Sequence, residues 1–420
     1  MVPNKFTRPR SRADVMADHL RRASRTLRVG MFSAAVGVTT QTLFRALRGH
    51  YRRRMARGEK LRLDTLRGPA VEQSFESLPH QPADLRPRAG KSHRARHMQV
   101  PYPPTDYSFV YGEPPISGNV INGRGETTPR RANYVFFGDG YRRAWGKLDW
   151  FFQVMEPSRI HRMITRLFWQ DRRRVGPVAS RVTAPADPVE AAGWVERVAR
   201  RAGASLVGIT HLTESMRYHD FDLPFVHAVA IAIPMDRKDM VHTPSDRSRF
   251  EIQRVYHDAN RIAIEVAEAI RAAGWPARAS TNLSPDATEV LHIPVAIAAG
   301  LGQLGKHGSL ITREHGSNVR LAVVLTDLPL AVSEARDIGV DDFCTTCRIC
   351  EQNCPPHAIS PTKQMVRGVQ KWTVDFDACI PYFAATFGCG ICIHACPWSE
   401  PGRGFVLSER LLTRRERRSA

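Results

Sequence analysis

The sequence predicts an α/β domain, preceded by a basic, partly irregular region and followed by a small cysteine-rich domain. Between residues 185 and 335, helical patterns alternate with short, almost wholly apolar strands, which is typical of α/β layers. All eight cysteines lie between Cys344 and Cys396. Residues 1–180 carry 34 Lys and Arg against 14 Asp and Glu, so the formal net charge of +20 falls on this region.

The domain boundaries follow from the same patterns. We predict a basic N-terminal region at residues 1–180, the α/β domain at 185–335, the cysteine-rich domain at 336–400 and a basic tail at 401–420. A length of 420 residues allows two or three domains. Residues 79–131 are rich in Pro and Gly and are expected to be extended or loop. Partial disorder or a helical covering is expected for the rest of the basic region.

The charge of residues 1–180 indicates the kind of partner this region would meet. Clustered positive charge favours contact with nucleic acid, an anionic membrane surface or an acidic protein. The alternative is a solvated extension without a partner. No run of 18 apolar residues occurs, so no transmembrane helix is predicted. Arg21-Arg22 precedes the apolar segment Val29–Val38, but the residues after the arginine pair match a twin-arginine signal poorly. We therefore expect a cytoplasmic protein.

The α/β domain is predicted to begin with a helix and a strand. Asp187 is a suitable N-cap, and Pro188 follows it at the first helical position. Apolar residues then recur on one helical face until Gly203 supplies a C-terminal stop. Ser205–Ile209 follows as a short strand. This order predicts that the helix covers one face of a sheet.

The later elements of this domain include a glycine-rich segment. Val226–Ile233 is nearly all apolar and is predicted to be a strand buried on both faces, and Val319–Leu325 is predicted to be another apolar strand. Arg254–Ala273 has a helical period and ends at Gly274. Four glycines in Gly300–Gly308 allow a close approach to a partner. This segment lacks the preceding strand of a dinucleotide fingerprint and the ending of a phosphate loop, so a large flat cofactor is favoured over a nucleotide.

The cysteine spacing indicates two [4Fe–4S] clusters. The first set has three closely spaced cysteines that can wrap one face of a cubane, and each set has a cysteine before proline that ligates the other cluster. One cluster is therefore assigned Cys344, Cys347, Cys350 and Cys396, and the other Cys354, Cys379, Cys389 and Cys392. A zinc site is disfavoured because it prefers paired cysteines, and a disulfide framework is disfavoured because it suits a short secreted chain. The nine residues after Cys379 depart from the compact ferredoxin pattern.

Together these features resemble the corrinoid-dependent reductive dehalogenases over residues 187–400. The matching segments are Val198–Ile209, Met235-Asp236, Thr243-Pro244-Ser245, Ala299–Thr312, Asn318–Leu330 and the two cysteine sets. The related epoxyqueuosine reductases share the glycine-rich segment, the cysteine sets and the corrinoid. The stretch from Asn282 to Gly300 is longer than is usual in the dehalogenases.

The resemblance implies a nitroreductase-like α/β domain that binds cobalamin and a ferredoxin-like domain that holds the two clusters. Electrons from an external low-potential donor would pass through the clusters to cobalt, and an organohalide would lose its halide. The glycine-rich segment would contact the corrinoid through Gly300, Gly302, Leu304, Gly305, Lys306, His307 and Gly308. The corrinoid of this family lacks a protein histidine below the cobalt, and the sequence has no Asp-x-His-x-x-Gly motif.

The resemblance also assigns catalytic roles to three residues. Tyr256 matches the family's proton-donating tyrosine, Asn282 lies at the matching distance beyond it, and Arg320 matches a cation that would stabilise the phenolate. The alternatives are an ordinary helix aromatic for Tyr256 and a strand-end surface charge for Arg320. Asp286 stands where an epoxyqueuosine reductase would place its catalytic aspartate, although Ser284-Pro285-Asp286 also suits an ordinary turn.

Three functions therefore stay open, and we expect the first. The first is a corrinoid- and iron–sulfur-dependent oxidoreductase that dehalogenates an organohalide. The second is an enzyme like epoxyqueuosine reductase that reduces a tRNA nucleoside, with basic residues 1–180 holding phosphates. The third is a non-catalytic iron–sulfur electron-transfer protein without corrinoid. Cobalt content separates the two enzymes from the electron carrier.

Overall fold

The computed structural model describes residues 117–135, 158–282, 287–386 and 388–419. The helices are α1 (Gly118–Asn122), α2 (Ser158–Asp171), α3 (Pro188–Ala202), α4 (Arg237–Met240), α5 (Asp246–Ala272), α6 (His292–Ala298), α7 (Val340–Thr346), α8 (Ile349–Gln352), α9 (Phe376–Ala385), α10 (Ile391–Ala395) and α11 (Arg403–Ser419). The strands are β1 (Leu206–His211), β2 (His227–Pro234), β3 (Ala277–Ser280), β4 (Gln303–Leu304), β5 (Leu310–Ile311), β6 (Val319–Thr326), β7 (Gln364–Val366) and β8 (Val369–Lys371).

The central sheet has the strand order β1-β2-β6-β3, and each neighbouring pair is antiparallel. Strand β2 is buried along nearly its whole length, as its apolar sequence predicted. Val229 and Ile231 face a core formed with α3 and α5, while Ala228 and Ala230 face a second core that includes α6. Apolar side chains therefore alternate between two covered faces, which explains why β2 is apolar at successive positions after His227.

The predicted helices form, with one difference at a boundary. The Asp187 carboxylate accepts hydrogen bonds from the backbone N–H groups of Val189 and Glu190, both at 2.9 Å, and α3 ends at Gly203 in the left-handed region. Helix α5 begins at Asp246, about two turns before the predicted start. The reason is a capping box in which Ser245 and Ser248 bond reciprocally to each other's backbone N–H groups.

The cysteine-rich part consists of short helices and the β7–β8 hairpin. Residues 403–419, predicted only as a basic tail, form helix α11. Leu407 and Leu411 of this helix pack against the core that contains Cys344 and Cys396. Buried apolar contacts of this kind explain why a strongly basic segment is helical here.

Residues 117–135 contact both the cysteine-rich part and the α/β domain. The Asn119 side chain donates a 2.8 Å hydrogen bond to Asp375, and the Gly125 N–H donates one of 2.7 Å to the Met365 carbonyl. At the other end of this segment, the N–H of His219, which belongs to the α/β domain, donates a 2.8 Å hydrogen bond to the Ala132 carbonyl. This part of the predicted basic region therefore joins the two.

Most of the predicted basic region 1–180, with its proposed nucleic-acid or membrane contacts, lies outside the described residues. Asp286 lies outside them as well. Among the helices that the structure does describe, none combines the length and the apolar character needed to cross a membrane.

Candidate active site and cysteine centres

The first cysteine group consists of Cys344, Cys347, Cys350 and Cys396, which the fold brings together from α7, α8 and the end of α10. Burial is the main cause that raises the pKa of the Cys350 thiol to about 12, and the charges of Cys344 and Cys347 add to it. Burial likewise raises the pKa of Cys396, followed by the charges of Cys344, Cys350 and Cys347. Cys396 therefore lies beside three cysteines from which it is distant in sequence.

The second cysteine group consists of Cys354, Cys379, Cys389 and Cys392. Burial raises the pKa of Cys379, and the charges of Cys389 and Cys354 raise it further. Cys379 is the cysteine that departed from the ferredoxin spacing, and the fold nevertheless places it beside its predicted partners. The pKa of Cys392 is also raised by Cys350 and Cys396 after burial and the cysteines of its own group. The two groups therefore adjoin each other.

The surroundings of both groups fit iron–sulfur clusters. No disulfide links the eight cysteines. The Ala358 N–H donates a 3.3 Å hydrogen bond to the Cys354 sulfur. The Trp398 indole N–H is buried in the core that contains Cys344 and Cys396, and it has no hydrogen-bond partner within the described part of the chain. Donors of this kind hydrogen-bond cluster sulfurs. The described residues offer no set of three His, Cys, Asp or Glu side chains that would hold a single metal ion.

Tyr256, Asn282 and Arg320, predicted to act together, meet at one end of the central sheet. The Arg320 guanidinium carbon, from β6, lies 5.0 Å from the centroid of the Tyr256 ring on α5. The Asn282 side-chain amide, just after β3, donates a 2.7 Å hydrogen bond to the carbonyl of Leu321, the residue after Arg320. The three residues come from separate elements, so the fold alone makes them neighbours.

Asn260 is a further residue at this site that the sequence did not reveal. It lies one turn after Tyr256 on α5 and is 1% exposed. Its side-chain oxygen accepts a 3.2 Å hydrogen bond from the Asn282 N–H, while its amide nitrogen, like Arg320 Nε, is buried and has no partner among the described residues. Two unpaired donors suit a ligand that presents acceptor atoms or negative charge. A buried asparagine in a helical pattern gave no distinct signal in the sequence.

Arg249 links this site to the second cysteine group. It lies two turns before Tyr256 on the same face of α5 and is 2% exposed. A Cβ on Gly388, the residue before Cys389, would lie 2.6 Å from Arg249 Nη1. Burial lowers the pKa of the Arg249 guanidinium, and Tyr256 acts in the opposite direction. Arg249 is therefore close both to Tyr256 and to the residue before Cys389, and Cys392 packs against the same core as Tyr256.

The glycine-rich segment Gly300–Gly308 packs closely against the protein itself. A Cβ on Gly302 would overlap the carbonyl oxygen of Ile311, and one on Gly300 would overlap that of Glu334. Some of the close contacts that these glycines allow are therefore made with the protein's own backbone. Lys306 and His307 are both buried, and His307 Nε2 has no partner among the described residues. Contact of this segment with a corrinoid stays a prediction.

Residues 343–399 match a family model described as the 4Fe-4S dicluster domain. This match spans both cysteine groups. The tetrachloroethene reductive dehalogenase of Sulfurospirillum multivorans is 27% identical to the chain over 261 residues, which cover 51% of this chain and 51% of that protein. A solved structure, described as a reductive dehalogenase structure that suggests a mechanism for B12-dependent dehalogenation, has a TM-score of 0.55 and 27% identity. It covers 61% of this chain, which in turn covers 39% of that one.

The chain is similar in sequence and fold to reductive dehalogenases. A second class of relative is also present. The epoxyqueuosine reductase of Cellulophaga algicola is 34% identical over 131 residues, covering 27% of this chain and 39% of that protein. The chain spans about half the length of the tetrachloroethene reductive dehalogenase that it matches. The resemblance seen in the sequence motifs is thus confirmed for both classes of relative.

Proposed function

We propose that this chain is an iron–sulfur- and corrinoid-dependent oxidoreductase that removes halide from an organohalide. The observation that carries the proposal is the placement of Arg320 5.0 Å from the Tyr256 ring, next to the second cysteine group. It is supported by the dicluster match at residues 343–399 and by the similarity to a tetrachloroethene reductive dehalogenase. The reaction consumes two electrons and one proton, replaces the carbon–halogen bond by carbon–hydrogen, and releases halide.

The two cysteine groups hold one [4Fe–4S] cluster each. The second group binds the cluster nearer to Tyr256 and the first group the cluster farther from it, because Arg249 is close both to Tyr256 and to Gly388, the residue before Cys389. An external low-potential donor supplies the electrons. The adjacency of Cys392 to Cys350 and Cys396 provides a short path from one cluster to the other. We place this chemistry in the cytoplasm, where thiols stay reduced.

The residues around Tyr256 fit a ligand that carries acceptor atoms. A corrinoid and a halogenated substrate both carry such atoms. Arg320 Nε and Asn260 Nδ2 are buried donors without described partners. The glycine-rich segment, with the buried Nε2 of His307, is proposed to contact the corrinoid from another side. When bound, the corrinoid supplies a reducing cobalt centre at which the carbon–halogen bond is broken.

The chain itself supplies and controls the proton. Tyr256 holds the proton on its phenolic oxygen and delivers it to the carbon that loses the halogen. Arg320, stacked beside the ring, stabilises the phenolate that is left. Asn282 is fixed by its bonds to the Leu321 carbonyl and to Asn260. This arrangement keeps the amide in a defined position next to the tyrosine.

The test is a joint measurement of cofactor content and halide release. The protein is produced with added cobalamin, purified without oxygen, and assayed for iron, sulfide and cobalt. We expect about eight irons per chain, four for each cluster, together with stoichiometric cobalt. Chloride release from tetrachloroethene with a low-potential reductant would then support the proposal. Eight irons without cobalt after reconstitution would overturn it in favour of an electron carrier, and reduction of an epoxyqueuosine-containing tRNA without halide release would overturn it in favour of the second class of relative.

A further inference from the structure

Lys306 is a buried lysine that no catalytic step requires. Its side chain is 1% exposed, which makes it one of the largest fully buried side chains among the described residues. Lysine is almost never buried to this extent unless its charge is compensated. The glycine-rich segment that carries it packs between the α/β domain and the cysteine-rich part.

The surroundings of Lys306 belong to the first cysteine group. Its ammonium nitrogen lies 5.1 Å from the centroid of the Trp372 ring, and Trp372 shares a core with Cys344 and Cys396. The Lys306 backbone N–H donates a hydrogen bond to Cys344, and the lysine charge acts on both Cys344 and Cys350. The main chain and the side chain of Lys306 therefore both face the first cysteine group.

The protein compensates the positive charge of the Lys306 side chain only weakly. The nearest carboxylate, Glu351, lies 4.0 Å from the Lys306 nitrogen and is also bound by Arg348. The remaining negative charge that would balance a buried ammonium is that of a thiolate-bound cluster, which carries net negative charge in both oxidation states. The first cysteine group is the place where that charge would lie.

We propose that Lys306 is a positioning residue for the first cluster, and that its buried charge raises the reduction potential of that cluster relative to the second. A reduced cluster carries one more negative charge than an oxidised one, so a nearby fixed cation stabilises the reduced form. The low dielectric of a buried site strengthens this effect. Electrons that enter at the first cluster would then be held there until the second cluster accepts them.

The inference rests on the dicluster domain and not on the proposed dehalogenation, so it is tested without substrate or corrinoid. The variant is Lys306→Met, which removes the charge and keeps a stem to pack on Trp372. The matched control is Lys363→Gln. The Lys363 nitrogen lies 5.6 Å from the same ring but is partly exposed and pairs with Asp341 at 2.7 Å. Midpoint potentials of both clusters are read by anaerobic redox titration with paramagnetic resonance detection.

We expect Lys306→Met to disfavour reduction of one cluster about tenfold, a shift of about 59 mV to more negative potential for one electron, and to leave the other nearly unchanged. Lys363→Gln should change the midpoint potential of either cluster by only a small part of about 59 mV. Unchanged potentials in a Lys306→Met protein with a full iron complement would overturn the proposal. Loss of the first cluster in both Lys306→Met and Lys306→Gln, with retention in Lys306→Arg, would also overturn it and assign the lysine to assembly.

Discussion

The guanidinium of Arg320 lies over the ring of Tyr256 at 5.0 Å from its centroid and joins the N-terminal end of strand β6 to the long helix α5. A cation in this position is attracted by the negative face of the ring. Arg320 Nε is buried and without a partner among the described residues. These contacts support the proposed roles of Tyr256 as proton donor and of Arg320 as the cation beside it.

Replacement of Tyr256 by Phe should reduce halide release at least 100-fold, because general acid catalysis contributes about 10²- to 10⁴-fold. The packing of the ring and the content of iron and cobalt should stay unchanged, since only the hydroxyl is removed. Halide release by the anaerobic enzyme measures the effect, with metal content as the control. A Tyr256→Phe enzyme with wild-type turnover would show that the proton comes from elsewhere.

The charge and the planar shape of Arg320 should both contribute to the rate of halide release. We expect Arg320→Met to slow halide release by about 10- to 100-fold, since a stacked charge of this kind contributes about 1–3 kcal/mol. Arg320→Lys should recover only part of the rate, because an ammonium does not stack as a guanidinium does. The readout is halide release by both variants at equal iron and cobalt content. A wild-type rate in Arg320→Met would assign Arg320 a purely structural role.

The cysteine groups predict which substitutions act on the same cluster. Cys344→Ser and Cys396→Ser should each remove the same resonance signal and lower iron from about eight to about four per chain. The double variant Cys344→Ser/Cys396→Ser should lose no more than either single variant. Cys344→Ser combined with Cys379→Ser should lose both clusters. Loss of both clusters in the first double variant would contradict the grouping.

Gly316 ties the α/β domain to the segment after Cys396. Its φ is +58°, and an added Cβ would overlap the backbone of Trp398. Gly316→Ala should therefore destabilise the protein by about 3 kcal/mol or more, because both strain and overpacking contribute. Gly125→Ala is the matched control. This glycine has a φ of +88° with nothing within 4 Å of the added carbon, so only the conformational cost of about 1 kcal/mol applies.

The measurement for the glycine pair is the unfolding midpoint of the holoprotein, read together with release of iron. Gly316→Ala should unfold earlier than Gly125→Ala and lose the first cluster sooner. Equal midpoints for the two variants would show that the contact between Gly316 and Trp398 relaxes without cost.

His292 makes stability depend on pH. Burial lowers the pKa of His292 to about 4, while the bond to the Leu321 carbonyl acts in the opposite direction. The unfolded chain thus binds the proton more tightly than the folded protein does, so stability is present near neutrality and falls as the pH drops from about 6.5 towards 4. Between pH 7 and pH 5 the loss should be about 2 kcal/mol.

The check on this expectation is the difference in unfolding midpoint between pH 7 and pH 5 for the parent and for His292→Gln. Glutamine keeps hydrogen-bonding capacity towards Ser280 and Leu321, which His292 contacts at 3.2 and 3.3 Å, and it does not titrate. The variant should lose less stability on acidification than the parent. An identical loss in both would place the pH dependence in other groups.

Local sequence determined the elements and the kind of centre. Asp187, Pro188 and Gly203 fixed the bounds of α3, because capping involves only residues within a few positions of a helix end. The apolar run of β2 predicted its burial on both faces. Cysteine spacing predicted the dicluster domain that the family match confirms, since the first three ligands of such a cluster come from one short segment.

The tertiary structure decided what depends on contacts between distant segments. The antiparallel sheet order β1-β2-β6-β3, the stacking of Arg320 on Tyr256 and the buried position of Asn260 bring together residues from different elements. Lys306 shows the difference most clearly. Its ammonium group lies beside Trp372, which shares a core with Cys344 and Cys396, and its sequence context did not predict this neighbour. Side-chain surroundings arise from packing across the whole chain, and local patterns do not encode them.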